Sequence, residues 1–86
     1  MPEISRFYGI VIRMFYEDHL PPHFHAEYGE FEALIDISRQ MLFAGSLPPR
    51  ALGMVIEWTT IHHDELISIW DDVQNYKPPC KIAPLP

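Results

Sequence analysis

Apolar positions change their period once along this chain. Before residue 46 they come in short runs or strict alternation, and after it they follow a helical spacing. Ile4 to Phe7 and Ile10 to Tyr16 are rich in β-branched and aromatic residues and flank Tyr8-Gly9, which suits a two-residue turn. The run from Ile10 to Tyr16 is apolar on both faces except at Arg13, so it reads as a central strand. Glu17 to Pro22 reads as a loop, because two prolines cannot donate to a ladder and Pro21 biases Leu20 away from helix.

The following hairpin has a register that the pattern dictates. Gly29 suits the first central position of a type II′ turn, which sets Tyr28 opposite Phe31, Ala26 opposite Ala33 and Phe24 opposite Ile35. These six share one face, which is expected to be the core face. The other face carries Glu27 opposite Glu32, His25 opposite Leu34 and His23 opposite Asp36. A slip of one residue would bury those charges. Met41 to Phe43 add a short further strand, and Gly45-Ser46 end the sheet.

From Pro48 to Tyr76 the spacing is helical, with Ser46 as the expected cap. At 100° per residue Ala51, Leu52, Val55, Trp58, His62, Leu66, Ile69, Trp70 and Val73 fall in one stripe. One helix of about 27 residues would span roughly 40 Å, more than the roughly 30 Å of a compact domain this size. A kink or break is therefore expected near His62 to Asp64. The fold class that follows is α+β: an antiparallel meander sheet of three to four strands, with one kinked or two C-terminal helices packed on one face. Residues 1–86 form one domain, and 77–86 form a Pro-rich extended tail whose Ile82 and Leu85 dock on the body.

Composition narrows the function classes. With 86 residues, 48% of them apolar, the chain has material for a core but little to spare. The formal charge of −6, and six scattered cations, argue against a binder of nucleic-acid backbone. Cys80 is the only cysteine, which excludes an internal disulfide and a Cys-based zinc site. Met1 to Arg6 lack a signal-peptide pattern, and no apolar run approaches a membrane span, so a cytoplasmic protein is expected.

Chemistry concentrates in Asp18 to Gly29, which holds three of the five histidines. His23 and His25 lie two apart on a strand and project from one face. Asp36 is expected across from His23, and His19 in the loop can fold back over them. Imidazoles with one carboxylate suit a divalent transition metal such as zinc, with a position left for water. The candidate metal ligands are therefore His19, His23, His25 and Asp36. The same set also suits metal-free acid–base work, and a solvated sheet face bearing histidines is the structural alternative. His23-x-His25-x4-Glu30 is similar to the first cupin motif, but the chain is too short for that barrel and Glu30 sits in the turn.

Other residues read structurally. His62 lies within the apolar stripe, across the sheet from His23 and His25, as a core histidine satisfied by backbone or by Glu65. Trp58 and Trp70 are expected as core anchors. Arg13 on an apolar strand calls for a carboxylate partner. The serines lack nucleophile-elbow glycines and Cys80 lacks a nearby His, so no nucleophilic catalysis is indicated.

The chain resembles a bacterial family known as domain of unknown function 4160. The likeness rests on Pro2-Glu3-Ile4-Ser5-Arg6-Phe7-Tyr8-Gly9-Ile10, Asp18-His19-x-Pro21-Pro22-His23-Phe24-His25 and Tyr28-Gly29-Glu30-x-x-Ala33-x-Ile35. It continues through Leu47-Pro48-x-Arg50-Ala51-Leu52, Glu57-Trp58, His62-x-Asp64-Glu65-Leu66 and Lys77-Pro78-Pro79, almost the whole length. The resemblance implies one partner of a small two-gene module, often beside domain of unknown function 2442, arranged like a toxin–antitoxin pair. Some members carry a transcriptional-regulator label, which nothing in this acidic chain supports. The function expected is protein–protein interaction with a small protein partner or a second copy. The alternative is a His-cluster hydrolase or ribonuclease, with or without a metal.

Overall fold

The computed structural model describes residues 3–86. Met1 and Pro2 lie outside it, and with them the start of both the signal-peptide reading and the first family segment. Five strands precede two helices: β1 (Glu3–Phe7), β2 (Ile10–Arg13), β3 (His23–Tyr28), β4 (Phe31–Asp36), β5 (Met41–Gly45), α1 (Pro49–Ile61) and α2 (His63–Gln74). The strands form one antiparallel sheet in the order β1-β2-β3-β4-β5. The α+β meander is as expected, but the sheet has five strands rather than three to four. Both outer strands, β1 and Met41–Gly45, hold a paired register of their own.

The β3–β4 register is the one the alternation dictates, from Tyr28 opposite Phe31 to His23 opposite Asp36. Phe24, Ala26, Ala33 and Ile35 are fully buried. The turn-proximal pair departs from the expectation: Tyr28 and Phe31 stay 37% and 39% exposed, and Tyr28 lines a groove between the hairpin end and α1. The second face also departs, since His23 and Asp36 are buried rather than solvated. β2 is shorter than the apolar run suggests. Met14 is still buried, but Glu17 turns the chain through a left-handed conformation at φ 66°.

Tyr8 and Gly9 both adopt positive φ, as the tight turn between β1 and β2 requires. Gly45 ends β5 at φ 75°, and a Cβ there would overlap the Glu32 carbonyl oxygen. That carbonyl also accepts the Ser46 N–H, so the backbone cannot easily withdraw. Gly45→Ala is therefore expected to cost about 2 kcal/mol or more. Urea unfolding checks it, and a change below roughly 0.5 kcal/mol, the range of an ordinary surface substitution, would contradict it.

α1 begins later than Ser46 allows. Pro48, which precedes Pro49, is held extended at φ −55° and ψ 147°, so Pro48 is the N-cap and no side chain caps the helix. His62, at φ −109° and ψ 24°, closes α1 and opens α2, so the expected break gives two helices. The longest molecular extent is 33 Å, and the roughly 40 Å of an unbroken helix would overrun it.

Trp58 fixes which sheet face the helices cover. Its ring meets Phe24 edge-on at 5.7 Å and Phe7 at 5.4 Å. Ala51, Val55, Leu66, Ile69, Trp70 and Val73 complete the buried stripe. The tail docks as expected. Ile82 and Leu85 are buried, the Ile82 N–H donates to the Ile4 carbonyl at the β1 edge, and Trp58 Nε1–H donates to the Ala83 carbonyl. No helix among the described residues is long and apolar enough to cross a membrane.

Candidate metal centre

The second sheet face is reached by the helices at its His23 end, where Trp70 of α2 packs, and the histidines gather there. Cross-strand pairing sets Arg13, His25, Leu34 and Ala44 in one row and His23, Asp36 and Met41 in the next. Arg13 finds the partner it needs in Glu27, at 3.1 Å. The loop before β3 then brings Asp18 over the two imidazoles. Its Oδ2 lies 3.3 Å from His23 Nε2 and 3.2 Å from His25 Nε2.

A hydrogen-bond acceptor lies on the far side of each ring. His23 Nδ1 lies 2.8 Å from the Pro21 carbonyl, which only accepts, so Nδ1 carries the proton and donates. His25 has a carboxylate oxygen at each ring nitrogen, Glu32 Oε2 at 3.1 Å from Nδ1 and Asp18 Oδ2 at 3.2 Å from Nε2, so either nitrogen can donate, and the tautomer with the proton on Nδ1 matches His23. With the proton on Nδ1 of both neutral rings, both Nε2 lone pairs point at one carboxylate oxygen, and three electron-rich atoms face one another. Added protons on both rings would resolve this, and so would a cation.

The spacing suits a cation. Asp18, His23 and His25 each offer one ligand atom, and these atoms lie within 4.8 Å of one another. Tetrahedral zinc with bonds of about 2.0–2.1 Å needs ligand–ligand edges of roughly 3.3 Å, and the two N···O separations match. Metal-bound histidines commonly donate their other N–H to a backbone carbonyl or a carboxylate, which fixes tautomer and ring orientation. His23 and His25 supply one example of each.

The surroundings hold the rings in place. Phe15 meets His25 edge-on at 4.4 Å, and Phe43 meets His23 edge-on at 5.4 Å. Trp70 of α2 packs 5.3 Å from His23. His23 is almost fully buried, while His25 and Asp18 keep 16% and 26% of their side chains exposed, so the cluster remains open on one side.

Two of the four expected ligands fall outside this cluster. His19 is exposed and is not among the residues whose ligand atoms gather around Asp18. Asp36 does sit opposite His23, but its Oδ1 accepts the Arg39 N–H and caps the turn into β5. The carboxylate that lies beside the two imidazoles is that of Asp18. It sits in the same histidine-rich stretch, yet no periodicity governs a loop, so spacing alone could not aim it. Glu32 was legible as a face neighbour of His25, diagonal across the β3–β4 pair.

His62, expected as a core histidine, is only partly buried, although Glu65 does satisfy its ring as expected. It packs on Trp58 at 5.5 Å and pairs with Glu65 at 2.6 Å, apart from the other cluster.

A family model described as domain of unknown function (DUF4160) matches residues 9–71. The chain belongs to the DUF4160 family. The matched region includes Asp18, His23, His25 and Glu32, and stops before the end of α2. No curated protein and no solved structure matches the chain.

Proposed function

We propose that this DUF4160 protein is a small metal-dependent hydrolase whose centre is Asp18, His23 and His25. One observation carries the reading. Both imidazoles have an acceptor at Nδ1 and hold Nε2 within 3.3 Å of the same Asp18 oxygen. A bound zinc would act as a Lewis acid and bring the pKa of its water near 7. The chain's own part is to fix ligand number and ring orientation and to leave one side open. With Asp18 and Glu32 in contact with the histidines and a net charge of −6, a neutral or cationic substrate fits better than RNA. The ribonuclease form of the hypothesis is correspondingly disfavoured. Zinc-loaded protein is expected to turn over chromogenic carboxylic esters or peptide amides, and Asp18→Ala to lose that turnover while staying folded. Equal rates in the two proteins would contradict the reading.

A second reading is supported by a different surface. A groove of about 560 Å³ runs between Tyr8, Tyr28, Arg50, Met54 and Leu85. It lies at the Tyr28 end of β3, and the strand's rise puts it about 17 Å from His23. This suits a cytoplasmic bacterial protein that binds a small partner in a toxin–antitoxin-like two-gene module. Copurification with the product of the neighbouring gene tests it. Binding is expected to survive loss of His23 and His25 and to fail in Tyr28→Ala/Met54→Ala.

A further inference from the structure

Three successive residues of the loop that carries Asp18 are each tied to the end of α2. The Tyr16 ring stacks on Tyr76, with centroids 6.1 Å apart and planes 10° from parallel. Glu17 Oε1 accepts the Tyr76 phenol at 3.2 Å, and the Asp18 carbonyl accepts from Gln74 Nε2 at 3.4 Å.

The backbone on both sides of this contact is unusual. Tyr76 N–H donates to the Val73 carbonyl and Lys77 N–H to the Asp72 carbonyl, the paired bonds of a helix end that normally carries glycine at the left-handed position. That position here is Tyr76, at φ 59°. Its partner Glu17 is also left-handed, at φ 66°. Two bulky residues in a conformation they rarely occupy, with their side chains bonded to each other, call for a reason beyond ending a helix. Tyr76 is one residue before the tail, and the family match stops at residue 71, so the tie is made by a part of the chain outside that match.

We infer that Tyr76 and Gln74 are positioning residues of the metal centre, holding the Tyr16–Asp18 loop so that Asp18 Oδ2 turns towards His23 and His25. The inference rests on the reading of that cluster as a metal site. Because the loop joins the two, coupling is reciprocal: metal held by Asp18 also steadies the end of α2. The hydrogen bond from Tyr76 to Glu17, and then the Glu17 charge, hold the phenol above its usual pKa. The phenol therefore keeps its proton, and with it the bond to Glu17, at neutral pH, and loses both above the ordinary tyrosine range.

Tyr76→Gly separates this role from a structural one, because glycine suits the left-handed position better than tyrosine does. The variant is expected to unfold at the same or higher urea concentration, yet to bind zinc roughly 10–100-fold more weakly, as when a partner of a metal ligand is lost. Its cobalt complex should show weaker visible bands, the mark of a lost protein ligand and added water. Tyr76→Phe, which keeps the ring stack, should fall between the two. In the zinc-free proteins, amides of residues 16–20 should exchange faster in Tyr76→Gly than in wild type. Zinc affinity within twofold of wild type overturns the assignment. Unchanged amide exchange in the zinc-free variant overturns the clamp itself. If the wild type binds no zinc, the metal reading falls, and the exchange data still decide whether the clamp holds the loop.

Discussion

Zinc is expected to raise the melting temperature of the wild-type protein by roughly 10–20 °C and to leave His23→Ala/His25→Ala unmoved. A ligand at 100 times its Kd that binds only the folded chain adds about 2.7 kcal/mol, and a domain this small gains about 4–8 °C per kcal/mol. The folded state gathers the ligand atoms from a loop and a strand, a geometry the unfolded chain does not hold in advance. The comparison is between shifts and not between absolute melting temperatures, because His23 is also a buried ring against Trp70 and Phe43. Acidification should shrink the wild-type shift, since protons compete for the same Nε2 atoms. A zinc shift of equal size in both proteins would place the metal elsewhere.

Trp58→Ala should be the most damaging single core change, at about 3–5 kcal/mol for the lost ring and about 1 kcal/mol more for its hydrogen bond. Trp58 is fully buried, meets Phe7 and Phe24, and anchors the tail through Ala83. Against a total stability of roughly 4–13 kcal/mol for a chain of this length, that loss leaves a large unfolded fraction. Trp58→Phe isolates the tail bond. It keeps an aromatic ring on Phe24, removes the Nε1–H donor, and should cost about 1–2 kcal/mol while loosening residues 82–85. Urea unfolding gives the first quantity, and amide exchange of Ile82, whose N–H bonds to Ile4, gives the second. Full stability in Trp58→Ala would contradict the packing described.

How far the sequence reached depended on whether a period governed the residues concerned. The β3–β4 register followed from alternation, because one slipped residue would have buried Glu27 and Glu32 beside apolar partners. The helical stripe identified the buried residues of α1 and α2 except Thr59, and took in Leu52 and His62, which are only partly buried; the break at His62 followed from length against domain size. Arg13 predicted a carboxylate, and Glu27 is it.

The misses lie where geometry is set by loops and ends. Ser46 looked like a cap, but the Pro48-Pro49 pair delays the helix. Tyr28 and Phe31 have the right parity for burial but stay partly exposed. At the candidate site, parity put His23 and His25 side by side. It could not show that Asp36 would be taken by Arg39 N–H, nor that Glu17 would turn the loop so that Asp18 met both rings. Asp18 is held by contacts from residues almost sixty positions later, a distance no local pattern spans.

X-ray absorption on tag-free protein carrying one equivalent of zinc tests the central claim most directly. A first shell of nitrogen and oxygen at about 2.0–2.1 Å, with the scattering signature of two imidazoles, is the predicted result. Failure to retain zinc through dialysis, or a sulfur shell near 2.3 Å from Cys80, would contradict a centre built on Asp18, His23 and His25.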